Sequence, residues 1–132
     1  MAKYKAECPM QAGLGRIVLY TKRIEEMTDF YCRLFGYHRI QLPGDRIVEL
    51  SPASQGIPIL LHAAAKGQKE GQACVKLVFD VKDVIAFTTV AADKGYPFGP
   101  IHKGDGYAFA NRKDPAGNSV SVSSRFTIQT SH

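Results

Sequence analysis

The chain has 132 residues, enough for one domain or for one small unit used twice, and its 45% hydrophobic and 22% charged residues place it among ordinary globular chains. Seventeen Lys and Arg stand against twelve Asp and Glu, a net charge of +5 that first suggests nucleic acid as a partner. No apolar stretch approaches the roughly 18–20 residues of a membrane span. Met1–Gln11 lacks the apolar core of a signal peptide, so the expectation is a cytoplasmic protein with no membrane partner.

In chain order, Arg16 to Thr21 is rich in β-branched and aromatic residues and reads as a strand. Residues 24 to 35 change period: Ile24, Met27, Tyr31, Leu34 and Phe35 recur at threes and fours, the stripe of an amphipathic helix. Gly36 follows where a left-handed cap is usually glycine. Tyr37 to Leu42 and Arg46 to Leu50 read as strands about the turn Pro43-Gly44-Asp45, and Ile57 to His62 as another after the loop Ser51 to Gly56. Residues 63 to 73 have linker composition. The same order then begins again: a strand from Cys74 to Val81, a helix from Val84 to Lys94, its exit at Gly95-Tyr96, and strands divided by Gly104-Asp105-Gly106 and Asp114-Pro115-Ala116-Gly117-Asn118.

The recurrence extends to single residues. At one offset Ile17-Val18-Leu19 falls on Leu77-Val78-Phe79, Lys22 on Lys82 and Ile24 on Val84; at one residue less, Gly36-Tyr37 falls on Gly95-Tyr96. A unit of about 50 residues buries too little apolar surface to be comfortably stable alone, so the two should pair. The expected fold is α+β: two βαβββ units in tandem, about 15–62 and 74–124, making one domain over 1–132 with a curved mixed sheet and helices on its outer face. Strand alternation puts Ile17, Leu19, Leu77 and Phe79 against the helices, and Val18, Tyr20, Val78 and Asp80 on the open, concave side.

Other features exclude more than they assign. Cys8, Cys32 and Cys74 are odd in number and widely spaced, fitting neither a disulfide framework nor a paired-cysteine metal motif. Lys and Arg are scattered, and the first helix sets Arg33 against Glu25, Glu26 and Asp29, which argues against nucleic acid. His38 and His102 lie in or beside turns and read as surface residues, and His132 is terminal. Tyr96, Phe98, Tyr107 and Phe109 crowd one segment and serve either core packing or the wall of a pocket for a flat ligand.

Phe30-Tyr31-Cys32-Arg33-Leu34-Phe35-Gly36-Tyr37 resembles the helix end of the vicinal oxygen chelate superfamily, the glyoxalase, bleomycin-resistance and extradiol-dioxygenase group. Lys94-Gly95-Tyr96 resembles its counterpart in the second unit, and Asp114-Pro115-Ala116-Gly117-Asn118 matches the family's turn before the last strand. The resemblance covers about residues 15 to 124. It implies four pocket-facing positions for metal ligands, normally His and Glu, near the start of each unit's first strand and the end of its last.

By that resemblance the four positions hold Arg16, His62, Lys76 and Ser121. Two are cations without a lone pair to offer a metal, and only His62 is a good ligand. Glu49, in Val48-Glu49-Leu50, also resembles a ligand stretch, yet His62 and Glu49 together still leave a divalent Zn, Ni, Fe or Mn one ligand short. The expectation is therefore no metal cofactor and a site that binds a small molecule, an anion among the candidates. Arg16 and Lys76 would hold its charge, and Tyr20, His62 and Ser121 would line it. A competing reading pairs these cations with Asp80 or Glu49, or leaves them in solvent. The alternative function, should the register differ, is a metal-dependent lyase, dioxygenase or antibiotic-resistance enzyme. The resemblance also implies a homodimer.

Overall fold

The computed structural model describes residues 14–128 except 42, together with residue 12. Cys8, His132 and the Met1–Gln11 segment lie outside the described residues, as does Leu42 at the expected end of the second strand.

The first unit runs β1 (Ile17–Thr21), α1 (Ile24–Phe35), β2 (His38–Ile40), β3 (Val48–Ser51) and β4 (Ile59–Ala63). The second runs β5 (Lys76–Asp80), α2 (Val84–Asp93), β6 (His102–Lys103), β7 (Ala108–Lys113) and β8 (Ser119–Ser123), followed by the short 3-10 turn Arg125–Thr127. This is the expected βαβββ order, twice. The strands form two four-stranded sheets, ordered β1-β4-β3-β2 and β5-β8-β7-β6. In each sheet the first strand pairs parallel to the last and the remaining pairs are antiparallel. Instead of one continuous curved sheet there are thus two mixed ones, and the first strand of each is an edge.

Local chemistry accounts for the helix ends. Gly36 takes φ +73° and its N–H donates to Cys32 O, closing α1 with the left-handed residue that only glycine adopts cheaply. Asp83 caps α2, its carboxylate accepting from Ala86 N at 2.9 Å, and Tyr96 N returns to Ala91 O past Gly95.

The alternation expected of the two first strands holds: Leu77 is buried and Ile17, Leu19 and Phe79 pack on the core, while Val18, Tyr20 and Val78 are exposed. The main core joins both units, with Met27, Phe30, Tyr31 and Leu34 of α1, Leu50, Ile59 and Leu61 of the first sheet, Leu77 and Val120 of the second, and Ala91 of α2. Phe35 stacks on Phe79 with ring centroids 3.7 Å apart.

One buried polar knot ties the units. The Asp114 carboxylate accepts from Ala116 N, Asn118 N and Asn118 Nδ2 within its own turn, and from Tyr31 Oη of α1 at 2.7 Å. Tyr31 is wholly buried. Burial first, then the Asp114 charge and hydrogen bond, hold its phenol well above the usual range, so it stays a donor. The 63–73 segment is docked rather than a free tether: Thr21 Oγ1 and Lys22 N both donate to Glu70 Oε1, at 2.6 and 3.2 Å. A side chain at Gly71 would come within 3.0 Å of Ala116 O and 3.1 Å of Gly117.

Candidate functional site

The residues singled out by sequence fall in three places. Tyr20 and His62 are register partners on β1 and β4, with ring centroids 5.3 Å apart on the open face of the first sheet. Glu49 lies on the same face, opposite Leu60, which makes it a diagonal neighbour of His62. Arg16 is exposed just before β1. Lys76 begins β5 and donates from Nζ to Asn111 Oδ1 at 3.2 Å. Ser121 partners Val78 on the central strand β8, but it is 3% exposed and its hydroxyl donates to Ala110 O.

Among the described residues the ion pairing is confined to Arg39 and Glu25, 2.9 Å apart, a contact that lowers the Glu25 carboxyl pKa. Lys76 and Arg16 therefore do not pair with Asp80 or Glu49. Nor do any three His, Cys, Asp or Glu side chains among the described residues group so as to hold a metal ion. The donor set does not fit the metal that the family resemblance implies: His62 and Glu49 share a face with Tyr20, and among the described residues no third ligand joins them.

A cleft of 640 Å³ runs along the free edge of β5. Its apolar walls come from Phe35 and Leu34 at the end of α1, Phe79 of β5, Phe87 of α2, and Ile57 and Ile59; the 52–56 loop forms one rim. Lys76 and Asp80 supply its charged groups, and Lys76 is the one expected site residue that lines it. The cleft opens here because β1 and β5 are both sheet edges with no ladder between them, so space remains where a continuous sheet would have closed. A smaller depression of 260 Å³ on the other side of Lys76 is lined by Asn111, Arg112, Lys113, Ser119 and Val120.

The aromatic segment divides. Tyr96 meets Phe30 edge-on at 5.2 Å and Phe98 meets Phe87 at 6.2 Å, both in core packing. Phe109 lies between His102 and Tyr107, at 5.1 and 6.1 Å, in a separate stack on the second sheet. His38 and His102 are exposed, as expected, although both sit in strands.

The fold is one shared with known proteins. The Glyoxalase/Bleomycin resistance protein/Dioxygenase superfamily profile matches residues 13–122. The chain belongs to this superfamily. Among solved structures of the same fold, TnmS3, an antibiotic binding protein from Streptomyces sp. CB03234, is 18% identical with a TM-score of 0.70, over 86% of this chain and 96% of that one. Lactoylglutathione lyase from Agrobacterium tumefaciens is 20% identical with a TM-score of 0.64, over 86% and 94%. The fosfomycin resistance protein FosX from Mesorhizobium loti is 12% identical with a TM-score of 0.67, over 86% and 92%. At such identities the likeness is one of fold. No curated protein matches the chain in sequence.

Sequence reasoning missed the 52–56 rim and the residues beyond Lys76. One signal was available: a hairpin closed by the five residues Asp114 to Asn118 brings Lys113 opposite Ser119, as observed.

Proposed function

We propose that this superfamily member is a metal-independent binding protein for a small, flat organic anion, held in the cleft along β5. The observation that carries this reading is the cleft itself. Its volume is that of a ligand pocket, its walls are apolar with Phe35, Tyr37, Phe79 and Phe87 among them, and Lys76 stands at its side without a carboxylate partner among the described residues. Phe35, Phe79 and Phe87, stacked on one another, give a ligand a continuous apolar wall, while Lys76 supplies the charge. The fold alone does not choose between binder and enzyme, since the same scaffold carries a lyase and a resistance protein. The donor set argues for the binder, and the likeness to an antibiotic binding protein is consistent with it.

A homodimer completes the reading. Val18 and Tyr20 on the β1 edge, and Val75 and Val78 at the β5 edge, are 42%, 48%, 62% and 55% exposed, an apolar margin beside two unpaired strand edges that a second copy would cover. Sedimentation velocity then gives a species of twice the chain mass.

A thermal-shift panel of flat aromatic anions against neutral analogues tests the ligand class. A ligand at about 100 times its Kd stabilises by about 2.7 kcal/mol, and the response should weaken in Lys76→Ala. Elemental analysis of protein purified without chelator completes the test: one tightly held Zn, Ni, Fe or Mn per chain rejects the metal-independent reading, and a panel without response rejects the ligand class.

A further inference from the structure

Lys76, Ser119 and Lys113 form one row across three neighbouring strands, because Lys76 pairs with Ser119 on β8 and Ser119 pairs with Lys113 on β7. The two lysine backbones are therefore about 10 Å apart, twice the strand spacing. Both side chains are exposed, and each holds a neutral hydrogen-bond partner on the sheet. Lys113 Nζ donates to Ser119 Oγ at 2.9 Å, and Lys76 Nζ donates to Asn111 Oδ1 at 3.2 Å. Both partners are neutral, so the ammonium groups are held in place without being neutralised, and each keeps donors free.

The surroundings reinforce the charge. The depression between the lysines contains Arg112 and no carboxylate. The Arg112 guanidinium sits over the Phe30 and Tyr96 rings and donates to Pro97 O and Lys113 O. Strand alternation turns it to the opposite face of the sheet, so it adds positive charge nearby without joining the row. The acid next in sequence, Asp114, is buried in its turn and committed to Tyr31 and Asn118. Two lysines flanking Ser119 in one row, with the Ser119 hydroxyl already accepting from Lys113 and free to donate, suit a doubly charged oxyanion that accepts from both lysines and from Ser119 Oγ.

We propose that Lys76, Lys113 and Ser119 bind a phosphate monoester group, and that Lys76, which lines both openings, joins this anion site to the aromatic cleft. The ligand class becomes an aryl phosphate, an assignment that rests on the cleft reading above for its aryl part alone.

Isothermal titration of the full chain with inorganic phosphate, phenyl phosphate and benzoate at low ionic strength tests the site. Inorganic phosphate should bind saturably, one per chain, and phenyl phosphate more tightly. Lys113→Ala and Lys76→Ala should each weaken both by about tenfold or more, while Lys103→Ala, an exposed lysine elsewhere on the second sheet, should leave both unchanged. The proposal is overturned if phosphate does not saturate, if Lys113→Ala binds as well as the native chain, or if Lys103→Ala is as damaging as Lys113→Ala. Benzoate binding as tightly as phenyl phosphate would overturn the phosphate assignment. The two readings fail separately: a lysine-dependent site for inorganic phosphate with no gain from the phenyl ring removes the cleft reading alone, and ring-dependent binding indifferent to Lys113 removes the anion site alone.

Discussion

Replacing Tyr31 by Phe deletes one oxygen from a fully buried side chain and leaves the ring in the core. The lost hydrogen bond, 2.7 Å from Tyr31 Oη to Asp114 Oδ2, joins α1 of the first unit to the last turn of the second. A buried hydrogen bond to a charged group contributes about 1.5–3 kcal/mol. Asn118 Nδ2 still reaches the same oxygen, so the lower part of that range, about 2 kcal/mol, is expected. Urea unfolding at pH 8 should show it as a lower midpoint at unchanged slope.

The pH dependence distinguishes this bond from simple packing. The folded phenol is held above its ordinary pKa by burial and by Asp114, whereas in the unfolded chain it ionises near pH 10. Below about pH 9 both states keep the proton and its contribution is constant. Above pH 10 only the unfolded chain loses it, so this part of the stability declines as pH rises, by about 1.4 kcal/mol at pH 11. The Phe variant has no such group. Its deficit relative to the native chain should therefore shrink from about 2 kcal/mol at pH 8 to under 1 kcal/mol at pH 11. A deficit below about 0.5 kcal/mol at pH 8, or one that stays constant between these values, refutes the argument.

Three further outcomes follow from the same contacts. Gly36→Ala forces a Cβ into φ +73° with open space around it, so the cost is purely conformational, about 1–2 kcal/mol by urea unfolding. Glu70→Ala removes the acceptor of Thr21 Oγ1 and Lys22 N; stability should drop by about 1 kcal/mol, and trypsin should cut faster at Lys66 and Lys69 as the segment undocks. Phe79→Ala removes the ring stacked on Phe35 and one wall of the cleft, so it should cost about 3 kcal/mol and abolish the thermal shift caused by aromatic anions, whereas Phe109→Ala, in the separate stack, should preserve that shift.

Much of this molecule is legible along the chain because its determinants are local. The period change at Ile24, the cap at Gly36, the Asp114–Asn118 turn and the duplicated order each depend on neighbours a few residues away, and each recurs in the three-dimensional structure where it was expected. The hairpin register that faces Lys113 with Ser119 belongs here too, since turn length sets it. How the two units sit together is not written locally. Tyr31 meets Asp114 across 83 residues, Glu70 reaches back to Thr21, and Phe35 stacks on Phe79 only because the end of α1, a helix that covers the first sheet, meets β5 of the second. The cleft is the space left between these distant segments, with walls from α1, the loop before β4, β5 and α2, and no periodicity in any one of them announces it. Strand alternation alone could place Lys76 on an open face. Long-range packing decided that this face adjoins an aromatic cleft on one side and a row of cations on the other.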